Sequence, residues 1–256
     1  MSARALDGWR LAVGTLTILP VAPPGRVDPG AARMASLLAP VAFTPVALLV
    51  GVAGWSLALV LPDLVAALLM VGLVAWLTRA IHLDGLADTV DGLGSGRPAE
   101  GALEIMRRGD VGPMGVVALI VVLGLQVASG AALVGRPWGW LAFALALSAG
   151  RGALVIAARR GVPAARPDGL GAVFASSVPV LAAAGVWIGL AGVLAASGWL
   201  TGAPGWLGML AAAVGAGVSV CLVRAAVGRL GGITGDVLGA AVELTTTGVL
   251  VVLTVG

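Results

Sequence analysis

The sequence predicts an all-α integral membrane protein, a single helical bundle that covers residues 1–256 and crosses the bilayer about seven times. Of its 256 residues, 59% are hydrophobic and 11% are charged, and the mean hydropathy is +1.08. An ordinary soluble domain has about 25% charged residues. Several apolar runs also reach the roughly 20 residues that a membrane-spanning helix needs. The 40 glycines suit this class, because small residues let helices approach closely in lipid.

The predicted spans are joined by short connections. Residues 4–20 form an amphipathic segment, and a loop rich in proline and glycine follows at 20–30. The second predicted span, 64–82, is expected to continue without a break into an acidic stretch at 79–96. Polar connections are expected at 93–111 and 159–177. Spans are predicted at 36–61, 64–82, 113–134, 138–158, 178–198, 205–227 and 237–255.

Arginine placement predicts the orientation of the bundle. All 15 basic residues are arginine. Apart from Arg136, and Arg151 inside a span, they fall in segments on one side of the membrane. The positive-inside rule places that side in the cytoplasm. We therefore expect a multi-pass protein of the prokaryotic cell (inner) membrane, with an active site that faces the cytoplasm and no cleavable signal at the N-terminus.

The acidic stretch carries three of the twelve acidic residues, Asp84, Asp88 and Asp91. In a helix these carboxylates fall within about 60° of one another. They would repel each other unless neutralised, and Mg²⁺ is a simple remedy because it prefers oxygen ligands. The alternative is a solvated acidic face. It is disfavoured because ionisable groups that continue an apolar run are costly and usually functional.

Basic side chains accompany these acids. His82, the single histidine, points to roughly the opposite face of an ideal helix from Asp84. A structural hydrogen bond therefore explains it at least as well as general-base catalysis, unless Gly85 breaks the helix and re-aims it. Arg79 is placed to pair with the carboxylates or with a phosphate. Arg151, inside an apolar span, is expected to face a polar cavity.

Two glycine-rich turns are candidates for phosphate binding, because free backbone N–H groups and helix N-termini attract anions. The first contains Gly94 and Gly96, although a plain linker explains it equally well. The second contains Gly232 and Thr234 and leads into the last span at Asp236. Asp236 alone would also suit a helix N-terminus.

Glu243 lies seven residues after Asp236, on the same helical face. We expect both acidic faces at one membrane depth beside arginine-bearing loops. This combination favours a metal–phosphate site in which Asp88 and Asp236 belong together and Glu243 supports the ligands. The single histidine and the single cysteine, Cys221, make a zinc site implausible, and the dispersed arginines are not typical of nucleic-acid binding.

The segment His82–Leu93 resembles the signature of the cobalamin synthase family, the membrane-bound adenosylcobinamide-GDP ribazoletransferases. One departure is visible. The family pattern places an aspartate and then an arginine where this sequence has Arg108 and Asp110. Further similar blocks are Leu16–Val21, Ile105–Met106 with Gly112–Gly115, Asp168–Gly171, and Gly231–Ala240 with Glu243.

The resemblance implies a reaction. The 3′-hydroxyl of α-ribazole, or of its 5′-phosphate, attacks the cobinamide-side phosphorus of adenosylcobinamide-GDP. GMP leaves, and adenosylcobalamin or its 5′-phosphate forms. The resemblance also implies dependence on Mg²⁺. Expected partners are these substrates and the lipid bilayer, and either a second copy of the chain or other enzymes of the pathway.

The residue pattern and the resemblance together predict three groups of site residues. The catalytic group is His82, Asp84, Asp88, Asp91 and Asp236. The metal ligands are Asp84, Asp88, Asp91 and Asp236. The substrate-binding residues are Arg79, Gly94, Gly96, Arg107, Gly232, Thr234 and Glu243.

Other classes fit less well. A CDP-alcohol phosphotransferase would share Asp84-Gly-x-x-x-Asp88, but its expected Ala-Arg and later aspartate motif are missing. An intramembrane prenyltransferase would need two aspartate-rich motifs, and only Asp88-x-x-Asp91 fits. A cation-coupled transporter, the non-enzyme alternative, would place charges near the bilayer midplane on broken helices in inverted repeats. Metal-dependent release of GMP separates these classes.

The arginine asymmetry predicts that the segment 83–111 is cytoplasmic and that the C-terminus lies on the other side of the membrane. A topology reporter inserted in this segment should read as cytoplasmic, whereas one fused after Gly256 should not. A cytoplasmic reading from the C-terminal fusion would contradict the topology of seven spans.

Overall fold

The structure, a computed structural model, describes residues 3–255. Within this range the chain forms twelve α-helices and no strands, with two isolated bridges that join Arg159 to Val178 and Ala164 to Ile233. The predicted all-α fold is confirmed. Met1, Ser2 and Gly256, which the predicted domain also covers, lie outside the described residues.

The helices differ widely in length, from five to thirty residues. They are α1 (Ala3–Leu16), α2 (Pro29–Ala58), α3 (Asp63–Leu77), α4 (Ile81–Gly94), α5 (Ala99–Ile105), α6 (Pro113–Val134), α7 (Gly139–Gly150), α8 (Ala153–Ala157), α9 (Gly169–Phe174), α10 (Val180–Thr201), α11 (Gly205–Leu230) and α12 (Gly235–Leu253).

Six elements of the described chain are long and apolar enough to cross a membrane: α2, α6, α7 with α8, α10, α11 and α12. A seventh crossing exists if α3 and α4 together form one broken span. Large apolar side chains cover the outside of the bundle, with Trp199 95% and Leu181 86% exposed. A surface of this kind suits lipid rather than water. The protein is therefore a multi-pass helical membrane protein.

The first span begins earlier than predicted, at Pro29 rather than near residue 36. The Asp28 carboxylate accepts a hydrogen bond of 2.8 Å from the Ala31 amide, and Pro29 occupies the first helical turn. An aspartate N-cap followed by proline is a strong helix start. The predicted amphipathic segment is α1, which packs along α2.

The prediction that the second span continues directly into the acidic stretch is wrong. α3 ends at Leu77, and the chain bends by 90° before α4 begins at Ile81. Arg79 and Ala80 have φ angles of 56° and 54°, in the left-handed region that side chains disfavour. The Arg79 Nη2 donates a hydrogen bond of 2.8 Å to the Gly14 carbonyl of α1. The break therefore depends on a tertiary contact, and neither glycine nor proline marks it in the sequence.

The crossing of α4 with α12 depends on two glycines. A Cβ atom at Gly85 would lie 2.7 Å from the backbone oxygen of Asp236, and one at Gly239 would lie 3.1 Å from the Cα of His82. Side chains at these positions would force the backbones apart. The two glycines thus let the acidic helix contact the first turn of α12, while its other face packs on α6.

We expect Gly85→Val to separate α4 from α12 and to destabilise the bundle by about 1–3 kcal/mol, because the added side chain meets backbone that cannot rotate away. Thermal unfolding of the purified protein in detergent measures the loss. Gly72→Val on α3 is the matched control, since nothing lies within 4 Å of the Cβ there. Equal melting temperatures for the two variants would contradict the close crossing.

Candidate active site

The structure brings the two predicted acidic faces together. Asp84, Asp88 and Asp91 lie on α4, and Asp236 lies in the first turn of α12. Asp88 is close enough to Asp84, Asp236 and Asp91 for their negative charges to repel it. Asp84 repels Asp236 in the same way. Asp84 is exposed, Asp236 is half-buried, and Asp88 is only 8% exposed. Four carboxylates therefore share one region at one end of the bundle.

No ion pair among the described residues neutralises this group. Within residues 3–255, the side-chain ion pairs shorter than 4.0 Å are His82–Glu243, Arg107–Asp168 and Arg108–Glu104, and none of them involves the four aspartates. Nor do three His, Cys, Asp or Glu side chains in this part of the chain stand close enough to hold a metal ion by themselves. The group is thus a concentration of negative charge with room between its members.

Asp91 is held differently from the other acids. Its two carboxylate oxygens accept hydrogen bonds of 2.7 and 2.9 Å from the amides of Gly112 and Gly115, at the start of α6. A Cβ atom at either glycine would lie within about 2.5 Å of the carboxylate, so only glycine admits it. Asp91 therefore caps α6 and joins it to α4. Its predicted part in metal binding stays a prediction.

Thr234 fixes Asp236. As the N-cap of α12, the Thr234 hydroxyl accepts a hydrogen bond of 3.2 Å from the Val237 amide and donates one of 3.1 Å to the Asp236 carboxylate. This arrangement orders the first turn of the helix. Thr234 and Asp236 both line a cavity of about 430 Å³, whose other residues are Arg107, Arg166, Asp168, Gly169, Leu170, Gly171 and Gly235.

Gly232 has a structural partner where a phosphate contact is predicted. A Cβ atom there would lie 2.5 Å from the Pro163 carbonyl oxygen. The amide of Ile233 donates to that carbonyl at 2.9 Å, and the amide of Ala165 donates to the Ile233 carbonyl at 2.9 Å. The bare backbone of Gly232 therefore admits the segment 163–165, which leaves no gap for a ligand at its Cα.

That packing places Arg166 at the edge of the cavity. No sequence motif predicts Arg166 as a site residue. Partial burial and the neighbouring Arg107 lower the pKa of Arg166, whereas Asp236, Asp168 and Asp88 act in the opposite direction. Arg107 itself lies 3.7 Å from an oxygen of Asp168. Two arginines thus stand beside the carboxylates, as the metal–phosphate hypothesis requires.

The first glycine-rich turn lines a separate cavity of about 310 Å³ together with Asp91. Gly94 is the last residue of α4, and Gly96 has a φ of 68°. Arg108 and Asp110, the reversed pair, both line this cavity. They share one environment, and Arg108 also bonds to Glu104 at 3.2 Å.

His82 and Glu243 lie inside the bundle, away from that end. His82 is 6% and Glu243 5% exposed, and the His82 Nδ1 lies 3.9 Å from an oxygen of Glu243. Gln126 Nε2 donates to Glu243 at 2.8 Å and to the Thr247 hydroxyl at 3.1 Å. His82 thus faces Glu243 rather than the aspartates, as the opposite-face geometry of the helix predicts. Its role in catalysis stays a prediction, as does substrate binding by Glu243.

Arg151 is enclosed by the bundle, and its Nε and Nη2 atoms are buried without a hydrogen-bond partner among the described residues, so the expected polar cavity stays a prediction. Arg151 is 1% exposed, its Nη1 donates to the Leu147 carbonyl at 2.9 Å, and its guanidinium lies 3.4 Å from the ring centre of Phe43. Electrostatic interaction links it to Glu243. The backbone, an aromatic face and a buried carboxylate therefore offset part of the cost of burying this charge.

Fold and site define a class, a multi-pass helical membrane protein whose carboxylate group and arginines meet at one end of the bundle. Comparison with known proteins is more specific. The family model described as Cobalamin-5-phosphate synthase matches residues 8–254. The chain belongs to this family.

Several relatives carry one name, adenosylcobinamide-GDP ribazoletransferase. The Nocardioides protein is 47% identical over 245 residues, which cover 95% of this chain and 96% of the relative. The Frankia casuarinae protein is 37% identical over 95% of this chain and 93% of the relative. The Bradyrhizobium diazoefficiens protein is 40% identical over 96% of this chain and 91% of the relative. No solved structure matches.

We expect Asp88→Asn and Asp236→Asn to impair the same active site. Residues of a single site lose activity non-additively, so the double variant should be little worse than the poorer single variant. Turnover of purified protein, measured for both single variants and the double, gives the coupling. Losses that multiply would indicate two separate sites.

Proposed function

We propose that the protein transfers the adenosylcobinamide phosphate moiety of adenosylcobinamide-GDP to the 3′-hydroxyl of α-ribazole or its 5′-phosphate, with release of GMP. The observation that carries this proposal is the match to the family over residues 8–254. The site supports it, because carboxylates and arginines beside a cavity suit chemistry on a diphosphate. The family description, which names the 5-phosphate product, favours the phosphorylated acceptor.

We also propose that this site faces the cytoplasm of a prokaryotic cell, from the inner membrane. Two of the arginine-bearing connections that predict the orientation, 97–108 and 159–166, lie at the same end of the bundle as the carboxylates, since Arg166 and Arg107 line a cavity with Asp236. The positive-inside rule assigns such a side to the cytoplasm. Nucleotide substrates are found in that compartment.

Mg²⁺ suits the donor set. The four carboxylates offer hard oxygen ligands and have no cation within 4.0 Å among the described residues. Mg²⁺ is usually held by one or two carboxylates together with substrate phosphates and water. A site that lacks three converging side chains is therefore compatible with it. We propose that the ligands come from Asp84, Asp88 and Asp236, with no more than two of them on one ion. Asp91, whose oxygens both accept amide hydrogen bonds, supports them.

When bound, Mg²⁺ would neutralise the diphosphate and stabilise the charge on departing GMP. The chain's own residues do the rest. The 3′-oxygen forms a bond to the cobinamide-side phosphorus as the bond to the bridging oxygen breaks, and the bridging oxygen leaves on GMP with the electron pair. One of the aspartates takes the hydroxyl proton. The proton then passes to solvent through Asp84, the exposed member of the group. Arg107 contributes positive charge at the cavity edge.

The deciding experiment incubates purified protein with adenosylcobinamide-GDP and α-ribazole or its 5′-phosphate, with and without Mg²⁺. We expect GMP and the cobalamin product in equal amounts, only with the metal. Failure to form product with either acceptor at saturating Mg²⁺ would contradict the function.

Substitution of Asp84, Asp88 or Asp91 by Asn removes a charge and keeps the size. We expect each to reduce turnover at least about 100-fold, a loss of roughly 2.7 kcal/mol of transition-state stabilisation. Asp63 is an exposed aspartate at the first residue of α3, and α4 follows the opposite end of that helix. Asp63→Asn is therefore the control and should turn over normally. Near-normal turnover of all three site variants would refute the metal role.

A further inference from the structure

We propose that Arg166 binds the diphosphate of adenosylcobinamide-GDP and is a specificity-determining residue for this donor substrate. The inference rests on the proposed function and extends it to a residue that neither the motifs nor the family resemblance single out. Three observations support it: the fixed placement of its backbone, its unused Nε donor, and the carboxylates that act on it without forming an ion pair with it.

The backbone around Arg166 is fixed to the start of α12. The segment 163–165 pairs with Ile233 through two amide–carbonyl hydrogen bonds of 2.9 Å. Gly171, a few residues further on, packs on the same turn, since a Cβ atom there would lie 2.6 Å from the Ile233 carbonyl oxygen. Arg166 is therefore held at a fixed distance from Asp236, although 70 positions separate them in the sequence.

The guanidinium is only partly used. Its Nη2 donates to the Leu103 carbonyl of α5, which orients the planar group. The Nε atom is buried and has no hydrogen-bond partner among residues 3–255. A buried donor without a partner is costly. A phosphate oxygen would satisfy it, because the guanidinium fork matches phosphate geometry.

The surroundings supply the charges for such a ligand without occupying its place. Asp236, Asp168 and Asp88 act electrostatically on Arg166, yet no carboxylate of residues 3–255 lies within 4.0 Å of its nitrogens. Arg166 also lines both the cavity of about 430 Å³ and a second one of about 300 Å³. There is thus space between the arginine and the acids for an anion that a cation joins to the carboxylates.

The test compares steady-state kinetics of Arg166→Gln, Arg166→Lys and wild type with each substrate varied in turn. We expect Arg166→Gln to lower kcat/KM for adenosylcobinamide-GDP by about 100-fold, with KM for the acceptor changed less than about two-fold. Arg166→Lys, which keeps the charge but loses the fork, should lie between them. Arg160→Gln, an exposed arginine of the same connection, is the matched control and should behave as wild type.

A second arm separates ligand binding from a purely structural role. Added guanidinium ion should restore part of the activity of Arg166→Ala, and Arg166→Gln should bind GDP in Mg²⁺ more weakly than wild type at an unchanged melting temperature. Loss of activity with a lowered melting temperature and no rescue would overturn the proposal. So would a defect confined to the acceptor. Wild-type protein that binds GDP through Arg166 but forms no product would instead contradict the proposed function.

Discussion

The close crossing of α4 and α12 is the constraint on which the site depends. Gly85 meets the backbone of Asp236, and Gly239 meets the backbone of His82. In lipid, helix association comes from packing rather than from the hydrophobic effect, so contact of this kind is the available source of stability. It is also what forces acidic side chains from distant parts of the chain together. The electrostatic cost of that approach must be offset by helix contact and by whatever cation or ligand the site binds.

Two polar layers lie along α12, and their contrast separates a site from a structural network. Asp236 is in the first turn, and Glu243 is about 10 Å deeper at 1.5 Å per residue. Glu243 accepts a hydrogen bond from Gln126, faces His82 and interacts electrostatically with Arg151. A carboxylate within the bundle needs such partners, because the interior provides no water to replace them. The acids at the end of the bundle have Arg166 nearby, but none of them forms an ion pair within 4.0 Å among the described residues.

The sequence predicted what local patterns encode. Apolar runs give the spans, and the α6 boundaries agree with the prediction, because each span must satisfy its own backbone. The stripe of Asp84, Asp88 and Asp91 and the partnership with Asp236 follow from helix periodicity and membrane depth. What could not be predicted depends on partners far along the chain. Asp91 meets amides of α6, Gly232 meets the Pro163 carbonyl, and Arg166 reaches the site through that same packing.

The break between α3 and α4 shows why an apolar run does not by itself locate the acids that follow it. α3 has 15 residues, or about 22 Å of helix, which is shorter than the roughly 30 Å of hydrocarbon in a bilayer. Its exposed side chains are apolar at both ends, with Leu64 62% and Trp76 68% exposed, and such a surface suits lipid.

The bend of 90° then directs α4 across the bundle toward α12 and α6 instead of onward along α3. Here the Thr78 hydroxyl donates to the Val74 carbonyl at 2.9 Å, and Arg79 is held by α1. The direction of α4, and with it the position of the carboxylates in the bundle, therefore depends on tertiary contacts at the break. The count of crossings depends on them too, because α3 and α4 make a seventh only as a pair.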